Sequence, residues 1–132
     1  MVSIPSDLRY TKDHEWARRE ADGTIRVGVT EYAVQQLGDV TLVDLPAVGA
    51  DVGAHDHFGD IESVKTVSEL FAPLGGEIVE ANGELEERPE LVNEDPYGEG
   101  WMIVLRPTGG DEEWDELLDA AAYEAHCTAL EG

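Results

Sequence analysis

Turn residues recur at short intervals along this chain, and the runs between them are apolar or β-branched. That punctuation limits the fold more than any other feature, because no run before the last twenty or so residues is long enough for a packed helix bundle. Ala21-Asp22-Gly23-Thr24 is a hairpin signal. Ile25-Arg26-Val27-Gly28-Val29 follows, apolar at every second position, which predicts a half-buried strand. Val40 to Leu45 is a second strand, ended by Pro46. Val48 to Gly53 reads as a loop or turn. Phe58 to Glu62 and Val67 to Phe71 flank Ser63-Val64-Lys65-Thr66, a hairpin with Lys65 near its tip. Ala72-Pro73 and Leu74-Gly75-Gly76 turn the chain into Glu77 to Ala81, closed by Asn82-Gly83. Trp101 to Arg106 is the last strand, stopped by Pro107.

Helices are minor in this reading. Thr30 caps a short one, Glu31 to Leu37, with Gly38 as its stop. Pro89 to Asn93 is one helical turn with proline at its first position. Trp114, Leu117, Leu118, Ala121, Ala122 and Ala125 fall at helical spacing. Asp111, Glu112 and Glu113 suit a helix N-terminus, so a C-terminal helix is expected from about Asp111 to Leu130. The predicted fold is mainly β, a compact sandwich or barrel with helical additions. A length of 132 residues suits one domain, 1–132, and 42% hydrophobic content suits a real core.

Thirty acids oppose eight bases, for a net charge of −22. A basic patch for nucleic acid cannot be built from so few cations, and an anionic membrane surface would repel the chain. The acids run along the whole sequence. That favours adaptation to high salt, where self-repulsion is screened, over a recognition surface for one basic partner. No apolar run approaches the roughly 20 residues of a membrane span. Met1 to Asp7 lacks the pattern of a secretory signal, so the expected location is the cytoplasm. The single cysteine, Cys127, allows no internal disulfide and reads as a half-buried apolar residue in the helical tail.

Hydrolase elbows, phosphate loops and dinucleotide fingerprints are missing from the sequence. In so acidic a chain, neighbouring carboxylates carry little information. His55-Asp56-His57 is the best metal candidate, but it lies in a loop with no third ligand marked by spacing, and reads as a solvated polar turn. His14-Glu15-Trp16 reads as a strand edge with a buried indole.

Lys65 stands apart. The chain has two lysines against six arginines. An arginine at a hairpin tip would serve solvation equally well; a lysine adds a primary amine that can be acylated. A rigid tip presents that amine to another protein's active site, which suits covalent attachment of a swinging cofactor. An ordinary solvated lysine in an unmodified acidic interaction module is the alternative.

A lysine hairpin followed by Ala72-Pro73-x-x-Gly76-x-Ile78 resembles the biotinyl and lipoyl carrier domains. Biotinyl carriers have methionines on both sides of the lysine; Val64 and Thr66 here disfavour biotin. A closer resemblance covers nearly the whole chain. It rests on Tyr10 to Trp16, Val27 to Ala33, Leu37-Gly38-Asp39, Val43 to Pro46 with Val48-Gly49, and Glu62-Ser63-Val64-Lys65. Ala72-Pro73, Gly76 to Asn82, Pro89 to Asn93 and Asp95-Pro96-Tyr97-Gly98-x-Gly100-Trp101 continue it in order. Together they resemble the H-protein family of the glycine cleavage system.

The resemblance implies a barrel-sandwich hybrid fold with short helices and a C-terminal helix. It implies lipoate in amide linkage on Lys65 and a monomeric carrier that is not itself an enzyme. The implied partners are a pyridoxal-phosphate glycine decarboxylase, a tetrahydrofolate-dependent aminomethyltransferase and the FAD enzyme dihydrolipoamide dehydrogenase. A lipoate ligase or lipoyl transferase would attach the arm. The loaded arm would fold into a cleft whose acids meet its amine, at the positions of Asp13, Glu15 and Glu69. A related carrier serving lipoyl relay or another pathway remains open on the same motifs.

Overall fold

The computed structural model describes residues 3–109 and 111–131, apart from the side chain of Glu131. Strands β1 (Arg9–Tyr10), β2 (Glu15–Arg19) and β3 (Ile25–Val29) come first, then helix α1 (Glu31–Leu37) and β4 (Val40–Asp44). The middle of the chain forms β5 (Asp51–Val52), β6 (His57–Ser63), β7 (Val67–Phe71) and β8 (Gly76–Ala81). Short helices α2 (Glu84–Glu87) and α3 (Leu91–Glu94) precede β9 (Ile103–Pro107). Helices α4 (Asp111–Asp115) and α5 (Ala120–Glu131) end the chain.

Two antiparallel sheets result. One has six strands in the order β1-β2-β3-β9-β8-β5, the other three in the order β4-β6-β7. Ile25, Val27, Ile78, Ile103 and Leu105 from the first share one buried core with Val40, Val43, Phe58, Ile61 and Leu70 from the second. The alternation read in Ile25 to Val29 is what aims these side chains inward. The fold is thus mainly β, as predicted, and among the described residues neither sheet closes into a barrel. A second cluster, with Leu8, Tyr10, Trp16, Tyr32, Tyr123 and Cys127, joins the first strands to α5.

Local chemistry explains the joints. The Thr30 hydroxyl accepts from the Ala33 amide at the start of α1, and the Gly38 amide donates to Val34 at its end. Gly28 faces Trp16 across the β2–β3 pair; a Cβ there would come within 2.7 Å of the indole. Trp16 is fully buried and donates through Nε1 to the Pro96 carbonyl.

Several expectations change. The single C-terminal helix is two helices, because Leu118 leaves the helical ladder to exchange two 2.8 Å backbone hydrogen bonds with Tyr10. Asp119 then restarts the helix by accepting from the Ala122 amide. Asp51-Val52, expected as a loop, is a two-residue strand against Gly76-Glu77. The last strand begins at Ile103, since the Met102 amide leaves the ladder's register to donate to Val27. Pro89 precedes α3 rather than opening it. Glu15-Trp16 lies within a strand flanked on both sides, not at an edge. Cys127 is fully rather than half buried.

Candidate functional site

The β6–β7 hairpin carries Lys65 on a turn built by its own backbone and one serine. The Ser63 amide donates to the Thr66 carbonyl at 2.8 Å. The Ser63 hydroxyl accepts from the amides of Lys65 and Thr66, each at 3.2 Å. A third tie comes from outside: the Val64 amide donates to the Asp39 carbonyl at 3.0 Å. Asp39 is held in turn by Asn93 of α3, whose Nδ2 donates to Gly38 and whose Oδ1 accepts from Val40, both at 2.8 Å.

Gly38 has φ +79°, a conformation L side chains rarely adopt. A Cβ there would sit 3.4 Å from the Lys65 Cε, so the lysine stem lies along the end of α1. Lys65 itself is exposed, as are Val64 and Val67 beside it. Four of the six arginines, by contrast, lie over tryptophan rings at 4.5–5.7 Å. Those cations serve packing. The Lys65 amine is instead offered to solvent.

Next to the tip is a cleft of about 230 Å³. Asp13, His14 and Glu15 form one wall, α1 another through Ala33, Gln36 and Leu37, and Thr66 to Leu70 a third. The structure thus places Asp13, Glu15 and Glu69 in one cleft, with Thr66 and Val67 of the lysine hairpin as its rim.

The Asp13 wall depends on a tight turn. His14 takes φ 72°, which lets its amide donate back to the Thr11 carbonyl. The Thr11 hydroxyl accepts from the amides of Asp13 and Glu15 and donates to the Glu15 carboxylate at 2.9 Å. Its hydrogen-bonding capacity is then full. Glu15 is only 1% exposed. Burial pushes its carboxyl up to about 8, against the opposing Thr11 hydrogen bond. Among the described residues no Lys or Arg lines this cleft. Without a protein cation beside it the carboxyl stays mostly protonated at neutral pH, and a cationic guest would favour its ionised form.

The glycine cleavage H-protein family matches residues 8–129. The chain belongs to that family. It is 55% identical over 130 residues to the glycine cleavage system H protein of Mycolicibacterium smegmatis, covering 97% of this chain and 99% of that one. The Oceanobacillus iheyensis protein of the same name is 51% identical over 124 residues, covering 94% and 97%. A solved glycine cleavage system H protein from Mycobacterium marinum superposes with a TM-score of 0.83 at 45% identity, over 92% of this chain and 97% of that one. H-proteins are the carrier component of the glycine cleavage system and not catalysts in themselves.

Other sequence candidates fall elsewhere. His57 opens β6 and bonds Asp60 at 2.9 Å, while His55 sits in a loop at φ 69°. Sequence reasoning missed Thr11, Ser63 and Asn93. Thr11 and Ser63 act through bonds within four residues, and Asn93 through bonds to Gly38 and Val40 more than fifty positions away; none of these leaves a periodic signal.

Proposed function

We propose that Lys65 carries lipoate in amide linkage and that residues 1–132 act as a single carrier domain of glycine cleavage. The observation that carries this is an exposed lysine on a backbone-fixed tip, next to a cleft that holds a buried acid and, among the described residues, no Lys or Arg. The exposed tip fits acylation by an outside enzyme, and the stem along Gly38 leaves room for an extended side chain. A lipoyl group there supplies a disulfide that accepts the aminomethyl fragment of glycine together with two electrons.

The protein's residues shelter that cargo. Glu15, buried and near its ionisation point, accepts a proton donor or an ammonium. Asp13 and Glu69 add negative potential at the rim. Ile61, Leu70 and Leu37 line the cleft with apolar surface and exclude water. The partners are glycine decarboxylase, the tetrahydrofolate-dependent aminomethyltransferase, dihydrolipoamide dehydrogenase and a lipoate ligase or lipoyl transferase. These suit a cytoplasmic monomer. The described residues contain no helix long and apolar enough to cross a membrane.

Intact mass after incubation with lipoate and its ligase tests the attachment, beside a Lys65→Arg variant. One lipoyl amide is expected on the wild type and none on the variant. An unshifted mass in the folded wild type would refute the assignment. The acid excess is assigned to high-salt adaptation. Unfolding midpoints should then rise from low to multimolar salt, and equal midpoints would discard that part.

A further inference from the structure

We infer that Tyr123 is a positioning residue whose hydroxyl donates to His14 Nδ1 and holds that imidazole neutral, with its proton on Nε2, in the wall of the cleft. The contacts require an assignment of hydrogens. The Tyr123 oxygen lies 2.7 Å from His14 Nδ1 and 2.7 Å from Thr30 Oγ1. A phenol has one hydrogen to give, so it can donate to only one of these two neighbours. The Thr30 hydroxyl accepts from the Ala33 amide and still has its own hydrogen to give to Tyr123. The imidazole nitrogen is the stronger base of the two, so it receives the phenol hydrogen.

The surroundings agree. His14 is packed against Tyr32 of α1 and against Tyr123 and His126 of α5, at ring distances of 4.8, 5.7 and 5.8 Å. Burial and the neighbouring His126 hold the imidazole below the usual histidine range, with Asp13 opposing them. Glu15 lies beside it in the chain and Glu69 across the cleft. The consequence for cargo rests on the sheltering function proposed above. A protonated His14 would pair with Asp13 and repel an incoming ammonium. The C-terminal helix thereby keeps the acids available for the cargo.

The test begins with nitrogen NMR of the histidine rings in the unmodified chain. His14 should show a bare Nδ1 and a protonated Nε2 at neutral pH. Tyr123→Phe, which retains the ring stacked on Tyr10, should raise its titration midpoint, because the neutral ring loses the donor on Nδ1. A proton on Nδ1 in the wild type overturns the inference without any variant, and so does an identical titration in Tyr123→Phe. The second readout is the lifetime of the aminomethyl cargo on the lipoylated protein. Tyr123→Phe should shorten it at about pH 6, by less than about fourfold, the loss of neutral imidazole that the ordinary value of about 6.5 would give, and not at about pH 8.5. Equal shortening at both pH values would reduce Tyr123 to packing and overturn the inference. A wild-type lifetime indifferent to Glu15→Ala would refute the sheltering function instead, and the ring titration would still decide the tautomer.

Discussion

Lys65 is held out in water by a turn tied through backbone bonds and the Ser63 hydroxyl, whereas Glu15 is sunk to 1% exposure with a threonine hydroxyl on its carboxylate. The two residues flank one cleft and illustrate opposite uses of burial. On the proposed function, an amine that an outside enzyme reaches works through exposure and a fixed backbone. A carboxyl that receives a cationic cargo would work through desolvation, which makes its ionisation expensive until the guest arrives.

The largest test of that contrast is the pH dependence that Glu15 imposes on folding. The folded carboxyl titrates near 8 against an ordinary value of 4.5. The stability from its protonated form is therefore full below pH 4.5 and lost as pH rises through 8. At about 1.4 kcal/mol per pKa unit, the wild type should lose on the order of 4 kcal/mol relative to Glu15→Gln across that window. Urea unfolding of both proteins at either end measures the difference, and parallel profiles would mean that Glu15 is solvated.

Truncation separates the two poles further. Leu70, 2% exposed on the cleft-side strand β7, should cost about 3 kcal/mol as Leu70→Ala. Asn93→Ala removes both bonds that hold the Gly38–Val40 segment and should cost about 1–2 kcal/mol, with slower modification of Lys65 by the ligase. Val64→Ala, at 67% exposure beside the lysine, should change stability by less than about 0.5 kcal/mol. A large loss at Val64 would mean that the tip is packed and not merely tethered.

The sequence carried the exposed pole better than the buried one. Strand alternation, the Thr30 cap and the turns around Lys65 are local patterns, and each appears where it was expected. The helix break at Leu118 was hidden because its cause lies more than a hundred residues away, in the backbone of Tyr10. Asp51-Val52 pairs only because β8 offers an open edge. Glu15 could be placed by its resemblance to a family motif, but its burial could not be read from a chain in which acids are common. The hydrogen bond joining His14 to Tyr123 spans 109 positions, so no spacing rule could reveal it.

The tie from Val64 to Asp39 has a practical meaning for anyone who would borrow this lysine. Residues 57–71 look like a portable tag: a short hairpin with its reactive residue at the crest. Moved to another scaffold they would leave behind the Asp39 carbonyl, the Gly38 seat and the Asn93 side chain that steadies both. A graft that keeps its shape must carry 38–40 and 91–94 as well, three separate pieces of chain in fixed register. Presentation of the amine is a property of the assembled domain, not of the peptide that contains it.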